Sequence, residues 1–484
     1  MTRMMRNRNE PYDRDDQEEM IDDYEEMEQD ISAVSLSHNI RNDYIGQGIR
    51  DVKARPVFSK EANRVFSSMD HMNRNKRVLL INTVAAGGSV ARITMGLYHA
   101  LEEHGYECLV AFGRGPDPED CRYYRIGTDT DVYLHGGLSR ITDRHGFYST
   151  SATKELIRVI EDYDPDIIHL HNLHGYYLNV RVLFDYLHDS RRRVIWTLHD
   201  CWAFTGHCSH FEYIGCQKWQ TCCDSCEQLN EYPKSIAFDN SKRNFLEKKM
   251  LFTGLKHMTI VTPSQWLADR VKQSFLKEYP VVVVPTGIDL SMFKPIPEVR
   301  EKGNLIFELK RRMGIRGKTI LLGVANPWRE RKGLHQFVNL SKMIDDRTVI
   351  VLLGLNDEQL EELPDSIIGL ARTESIEEMV AIYSMADIYV NLTLEDTFPT
   401  TNLEALACGK PVITFKAGGS PESLDDTCGI VVERNSIQGV VAAIDKIRAN
   451  RGICYTPEMC MRRAEYYSKE YRFMEYIQEV YDMT

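Results

Sequence analysis

The sequence has no apolar run approaching the roughly 18 residues needed to cross a membrane. Its first residues, MTRMMRNRNE, have no apolar core of the kind a secretory leader carries. Neither an integral membrane protein nor an exported one is expected, and a soluble cytoplasmic protein is the default. A basic surplus is also missing. Lys and Arg total 59 against 71 Asp and Glu, a net charge of −12, so nucleic acid is not expected among the partners. The acidic surplus is itself local, because residues 9–30 hold twelve acids and one Arg and leave the rest of the chain near −1. Residues 1–75, rich in Asp, Glu, Asn and Arg without a sustained apolar pattern, read as a disordered acidic tail, either an interaction arm or a solvated leader.

What the sequence does have begins at Arg77. RVLLINTVAAGGSVARITMGLYHALEEHGYECLVAFG gives an apolar run, a Gly-Gly turn, a helical pattern and a second apolar run, which is a βαβ unit. Val90, Ile93, Leu97 and Leu101 recur at helical spacing and are expected to face the sheet, with Gly105 where the helix stops. Short β-branched runs follow in DIIHLHN, RVIWTLHD, MTIVTPS and VVVVPTG. After a Pro-bearing stretch at Met292–Val299 a second series restarts with TILLGVA, TVIVLLG, DSIIGL, DIYVNLT, PVITF and CGIVVE. Alternation with helical segments predicts an α/β chain of two doubly wound, Rossmann-like domains facing across a cleft, with ligands at the carboxyl ends of their strands. The expected division is 76–290 and 291–460, with residues 461–484 a helical, aromatic-rich segment crossing back to the first domain.

The stretch EDTFPTTNLEALACGKPV, residues 395–412, follows one of these strands directly. Strand, loop and helix N-terminus in succession make an anion site, because free backbone N–H groups and the helix dipole point at the loop. Thr400 or Thr401 can cap the helix. Thr401-x-x-Glu404 also fits a capping box, in which Glu404 folds back on the cap residue's own N–H. By spacing alone Glu404 is as much a capping residue as a ligand.

The segment resembles the donor-site motif of retaining GT-B glycosyltransferases of family 4, in which two acids separated by seven residues bracket a loop and a helix start. Asp396, not Glu395, holds that spacing to Glu404. The resemblance implies that Asp396 addresses the donor sugar and Glu404 the nucleotide ribose, while Phe398, Pro399, Thr400, Asn402 and Leu403 lie along the sugar and diphosphate. Other segments fit in the same order. The Gly87-Gly88 turn resembles the family's N-domain glycine loop beside the donor phosphates, which implies that Gly87 and Gly88 bind the donor, while VVVVPTGIDLSMFKP resembles its strand-to-linker segment and Gly418–Glu422 its Gly-Gly-x-Pro-Glu loop. In GVANPWRERKGLHQF, Lys332 matches the phosphate-binding Lys, and the usual Arg is replaced by Arg329 or Arg331 from a longer loop. Fixed cations stabilise the charge that builds on a departing diphosphate. His199 in TLHD matches a His placed near the reacting sugar, whereas His171 and His174 read as structural. No enzyme nucleophile is expected, since the family's transfer is described as same-face attack by the acceptor hydroxyl. Asp129-x-Asp131 reads as a loop.

Six of the twelve Cys fall within residues 201–226. Cys208, Cys216, Cys223 and Cys226 could form a structural zinc site, with Cys222 or His210 as substitutes. Reduced thiols and redox chemistry are the alternatives. A similar insertion occurs in relatives resembling colanic-acid-type exopolysaccharide transferases. Between Lys234 and Lys256, six Lys or Arg against two acids are threaded with Phe238, Phe245, Leu246, Met250, Leu251 and Phe252, a basic helix that could rest on anionic lipid or pack inward. The resemblance therefore implies a retaining glycosyltransferase needing no cofactor for catalysis. It would move a hexose from a nucleotide-diphosphate sugar to an oligosaccharide or lipid-linked acceptor, with peripheral contact at the inner face of the membrane. A nucleotide-sugar epimerase and a non-catalytic nucleotide-sugar-binding protein remain alternatives.

Overall fold

The computed structural model describes residues 76–299, 303–450 and 452–482, and the acidic tail lies outside them. The first sheet is built from β1 (Arg77–Val84), β2 (Glu107–Arg114), β3 (Tyr123–Arg125), β4 (Ile167–Leu170), β5 (Arg193–Thr197), β6 (Met258–Thr262) and β7 (Val281–Val283), all parallel in the order 3-2-1-4-5-6-7. Its strands read as continuous apolar runs because both faces are covered. Along β1, Val78 and Leu80 pack with Leu97 and Leu101 of the helix Gly88–Glu103. Leu79 and Ile81 pack on the other side with Leu156, Ile160 and Leu183. Residues of the period-2 strand thus feed two separate apolar layers.

The second sheet contains β8 (Thr319–Val324), β9 (Thr348–Leu353), β10 (Ile367–Leu370), β11 (Ile388–Asn391), β12 (Val412–Phe415) and β13 (Gly429–Val432). It is also parallel, in the order 10-9-8-11-12-13. Ile320, Leu322 and Val351 face one apolar layer, and Leu321, Ile350 and Leu352 the other. In both sheets the strand order reverses beside the first strand of the domain, between β1 and β4 and between β8 and β11. Loops leaving adjacent strands at such a point diverge to opposite faces and open a crevice, so two crevices confront one another. Two-sided parallel sheets of this kind were expected from the sequence.

The chain links the two units twice. Ile288, on the way out of the first sheet, accepts a hydrogen bond on its carbonyl from Lys469 N (2.9 Å) and donates its own N–H to the Tyr467 carbonyl (2.7 Å). The helix Lys469–Tyr476 and the wider turn Ile477–Tyr481 then pack on the first sheet. Val480 and Tyr481 are fully buried there, and the Tyr476 hydroxyl lies 2.9 Å from Thr197 Oγ1.

Three local expectations are corrected. Val90 and Ile93 are half-buried on the cleft side of their helix, and Ala91, Thr94 and Tyr98 take the buried positions. The stripe is rotated because the helix start must also present itself to the cleft. Asp129 and Asp131 are not in a loop. They begin the helix Asp129–Thr142, where Thr128 and Asp131 form a reciprocal capping box. The basic segment is helical only over Ser241–Phe252, and it divides. Phe245, Leu251 and Phe252 enter the core, while Phe238, Leu246 and Met250 are exposed. Lys248 is buried, donating to the Trp202 carbonyl at 2.8 Å with its ammonium 3.5 Å from the centre of the Trp202 ring.

Candidate active site

Two connected cavities occupy the confronting crevices. The smaller, about 390 Å³, lies at the ends of β8 and β11 and is lined by Lys332, Asp396, Phe398, Pro399 and Thr400, and across the cleft by His199, Thr286 and Pro263. The larger, about 830 Å³, lies against the first sheet, where Gly87, Gly88, Arg114, His174, Tyr176 and Tyr232 form its wall. Ser89, Val90, Asn172, Asp200, His210 and Arg331 line both. The Gly87-Gly88 turn has φ of 76° and 70°, a conformation glycine adopts freely, and it brings the backbone to the cavity wall.

In the smaller cavity Lys332 Nζ donates to Asp396 Oδ2 at 2.7 Å, and the Phe398 N–H donates to Asp396 Oδ1 at 3.2 Å. Burial would raise the Asp396 carboxyl, but Lys332 and Arg331 beside it hold it below the usual range. Burial pushes the Lys332 ammonium down, against the attraction of Asp396. Arg331 borders both cavities. Arg329 borders only the larger one, 3.9 Å from a Glu231 carboxylate oxygen, so Arg331 is the cation beside Lys332. His199 is held neutral, its pKa lowered to about 4 by burial, and its Nε2 lies 3.1 Å from His171 Nδ1 in a stacked pair.

The other named residues of the loop and helix stand behind this surface. The helix Thr400–Ala407 starts after Pro399 without a side-chain cap, so the Thr401 to Glu404 capping box is not formed. Pro399, not a threonine, occupies the cap position, which places Glu404 in the second turn. Glu404 is buried, accepts from the Tyr383 hydroxyl at 2.7 Å and has its pKa raised by burial. Asn402 bonds Asn391 and Ser423, each at 2.9 Å, and Leu403 is fully buried, so these two side chains seat the helix on the sheet.

Glu395, one residue away from the motif spacing, makes the most consequential contact. Its carboxylate crosses to the Cys-rich insertion and accepts from three successive backbone N–H groups, Phe211 at 3.1 Å, Glu212 at 2.7 Å and Tyr213 at 3.1 Å. Glu422 repeats the device at a second point, accepting from Gln265 N at 2.7 Å and Trp266 N at 2.8 Å at the start of the helix Gln265–Gln273. Thr397 Oγ1 donates to the His199 carbonyl at 2.9 Å between them. Gly418 has φ of 58°, and a Cβ there would meet the Asp396 carbonyl oxygen at 1.9 Å, so the Glu422 loop is locked onto the Asp396 loop by direct backbone approach.

Asp200 and His210 were not singled out for this role from the sequence, although Asp200 follows His199 directly at the end of β5. Asp200 accepts from His174 Nε2 at 2.7 Å and from the Trp202 N–H at 2.8 Å. Burial would raise it, but the adjacent His174 holds it at about 2. His174, read from sequence as structural, also meets the Tyr232 hydroxyl at 3.0 Å. His210 is lowered to about 3 by burial and by Arg331. The cysteines Cys208, Cys216, Cys223 and Cys226 line one small cavity under the insertion. Cys223 Sγ accepts the Gly206 N–H at 3.2 Å. Among the described residues, no three His, Cys, Asp or Glu side chains gather closely enough to hold a metal ion.

Comparison with known proteins bears on the family and the fold. The model of the family Glycosyltransferase Family 4 matches residues 86–292, and that of Glycosyl transferases group 1 matches residues 318–450. The chain is 24% identical over 421 residues to the "Putative colanic acid biosynthesis glycosyl transferase WcaC" of Escherichia coli (strain K12), covering 83% of this chain and 98% of that protein. It is 30% identical over 166 residues to an N,N'-diacetylbacillosaminyl-diphospho-undecaprenol alpha-1,3-N-acetylgalactosaminyltransferase of Campylobacter jejuni, covering 33% of this chain and 42% of that protein. Among solved structures, sucrose-phosphate synthase of Thermosynechococcus elongatus matches with TM-score 0.62 at 16% identity, over 84% of this chain and 98% of that one. Anabaena HepE, solved with UDP and glucose, matches with TM-score 0.59 at 13% identity, over 85% and 100%. These two share the GT-B fold.

The Glu395 contact carries a pH dependence. Burial outweighs its N–H donors and lifts its pKa from an ordinary 4.5 to about 7. A carboxyl with a raised folded pKa favours the folded state fully below its unfolded pKa, and that advantage is lost as pH rises through the folded value. The stability difference between wild type and Glu395→Gln, measured by urea denaturation, should shift by about 3 kcal/mol against the wild type between pH 4.5 and 7.5. Parallel profiles would contradict it.

Proposed function

The chain belongs to the group 1, family 4 glycosyltransferases of GT-B fold, and on that premise we propose that it moves a hexose with retention from a nucleotide-diphosphate sugar to a lipid-linked oligosaccharide in exopolysaccharide assembly. The observation that carries this reading is the shared wall of the two cavities at Asp200, His210 and Arg331. A sugar held over Asp396 in the smaller cavity presents its anomeric carbon toward an acceptor in the larger one. Lys332, Arg331 and the uncapped start of the helix Thr400–Ala407 receive the diphosphate. Arrival of the diphosphate gives Lys332 a partner of higher charge than Asp396, which frees that carboxylate for the donor sugar. As the bond from the anomeric carbon to the diphosphate oxygen breaks, the acceptor hydroxyl oxygen bonds that carbon from the same face and its proton passes to the departing phosphate. Neutral His199 is suited to hydrogen-bond a sugar hydroxyl.

WcaC supports polysaccharide assembly, and the Campylobacter relative, whose name contains a diphospho-undecaprenol substrate, supports a lipid carrier. The surface beside the larger cavity suits such a carrier. The helix Asp129–Thr142 lines that cavity with Gly136, Gly137 and Arg140 while exposing Leu134, Leu138 and Ile141. The Ile236 N–H donates to the Arg140 carbonyl, which continues the apolar patch to exposed Ile236 and Phe238, and Leu246 and Met250 of the neighbouring basic helix are also exposed. Among the described residues no helix is long and apolar enough to cross a membrane. Contact at the surface is therefore the form of association proposed.

Asp396→Ala and Lys332→Ala should each lower kcat by about 10²- to 10³-fold without lowering the melting temperature substantially. NMR of the wild-type product should show the donor's anomeric configuration. Full activity in either variant, or an inverted product, would contradict the mechanism, and an epimerised donor formed without acceptor would move the reading to the epimerase. In vesicle flotation with anionic lipid, Leu138→Glu combined with Ile141→Glu should lose lipid retention, while transfer to a water-soluble acceptor persists. Undiminished flotation would remove this surface from the account.

A further inference from the structure

The Cys-rich insertion brings two thiols into contact and sets beside them a histidine with an unused nitrogen. Cys208 and Cys226 are hydrogen-bonded to one another through their side chains, and both line the small cavity under the insertion. Their backbones are anchored separately, because the Thr205 hydroxyl donates to the Cys208 carbonyl at 2.5 Å and the Cys226 N–H donates to Asp239 Oδ2 at 2.7 Å. The two sulfurs therefore meet from fixed positions. They differ in access. Cys208 is buried, whereas Cys226 is half-buried at the end of a turn whose Asp224 and Ser225 are exposed.

His207 lines the same cavity. Its Nδ1 is bonded to Asp143 Oδ1, and because a carboxylate accepts, that nitrogen carries a proton, while Nε2 is buried without a partner. Burial lowers the His207 pKa, but the Asp143 carboxylate outweighs it and raises the group above its ordinary value. An imidazole held toward its cationic form beside a thiol favours the thiolate, which is the nucleophilic form. The bond from Cys208, together with the His207 charge and against burial, holds Cys226 below the usual thiol range, while the same bond and burial hold Cys208 above it. The more accessible sulfur is thus also the more acidic one. None of these groups lines either cleft cavity, so the transfer proposed above does not use them. Among the described residues no three His, Cys, Asp or Glu side chains gather closely enough to hold a metal ion.

We propose that Cys226 and Cys208 form a peroxide-reactive pair, in which a hydroperoxide oxidises the Cys226 sulfur and Cys208 resolves it to a disulfide. The Cys226 thiolate attacks one oxygen of the peroxide. An S–O bond forms, the O–O bond breaks, and the second oxygen leaves as hydroxide, taking up the proton that Cys226 released. The Cys208 sulfur then attacks the sulfenic sulfur, the S–O bond breaks, and the hydroxyl leaves with the Cys208 proton as water. The two thiols lose two electrons in all and the hydroperoxide gains them. The segment closed by this bond contains Phe211, Glu212 and Tyr213, whose N–H groups hold Glu395, so the modification lies beside a contact that spans the cleft.

The test uses the full chain, reduced with dithiothreitol, desalted, treated with hydrogen peroxide at pH 7, alkylated with N-ethylmaleimide and read by peptide mass spectrometry. The expected product is a disulfide between Cys208 and Cys226 that dithiothreitol reverses, with the remaining cysteines alkylated. Cys208→Ser should instead accumulate a sulfenic acid at Cys226, trapped by dimedone, and Cys226→Ser should leave Cys208 a thiol. His207→Gln should slow the oxidation of Cys226 about tenfold, the effect of roughly one pKa unit on the thiolate fraction. If His207→Gln does not fold, the wild-type product and the two cysteine variants decide. Oxidation of other cysteines ahead of this pair overturns the proposal, as does a Cys226 that stays reduced while free glutathione in the same tube is consumed. Dimedone labelling of Cys208 in Cys226→Ser at the rate seen for Cys226, or a stoichiometric metal ion retained by these thiols after desalting, also overturns it.

Discussion

A carboxylate meeting consecutive backbone N–H groups across a cleft is the interaction on which the rest of this molecule depends. Each sheet alone offers half a crevice. Glu395 joins the donor-side loop to residues 211–213 of the Cys-rich insertion, and Glu422 joins the adjoining loop to the start of the helix Gln265–Gln273. Both contacts use donors that a turn or helix start leaves unsatisfied, so each side offsets part of the other's desolvation cost. Asp396 lies one residue from the first contact, and Gly418 and Gly419 of the second loop press against its backbone. The distance between Asp396 and the facing wall of the first domain is thereby set by two anchoring carboxylates that line neither cavity.

The electrostatics of the two cavities divide the work. In the smaller cavity cations gather beside one carboxylate, an arrangement that holds Lys332 in place and, in the proposed mechanism, lets a diphosphate replace Asp396 as its partner. In the larger cavity, Asp200, His174 and Tyr232 form a hydrogen-bonded chain suited to hydroxyls, with Arg114 apart from it. His199 and His210 stand near the boundary and are held uncharged by burial, so they add hydrogen-bonding capacity without adding repulsion against Arg331 and Lys332.

The architecture was largely legible in the sequence, because parallel strands covered on both faces write themselves as uninterrupted apolar runs and the alternation with helices fixes the class. The family resemblance likewise named Lys332 and Asp396, which the structure brings to 2.7 Å of one another. What could not be read were contacts between segments far apart in the chain. Glu395 looked like the motif's misplaced neighbour, since nothing in EDTFPTT indicates that residues 211–213 lie opposite. The capping box at Thr401 and Glu404 failed because Pro399 shifted the helix start, and local spacing cannot tell a first turn from a second. Arg114 gave no signal at all, because an Arg at a strand end is ordinary until its buried Nε and Nη1 are found without a partner. Of the cysteines, the sequence marked the four that come to line one cavity, but a metal-holding distance is a property of three dimensions.

If Glu395 and Glu422 act as one closure, releasing the first should loosen the second. Hydrogen–deuterium exchange of Glu395→Ala measures this directly at the amides of Gln265 and Trp266, which Glu395 does not touch. These amides should exchange faster than in the wild type, together with those of Phe211, Glu212 and Tyr213. Faster exchange confined to residues 211–213, with Gln265 and Trp266 as protected as before, would show two independent contacts and contradict a cleft held as a unit.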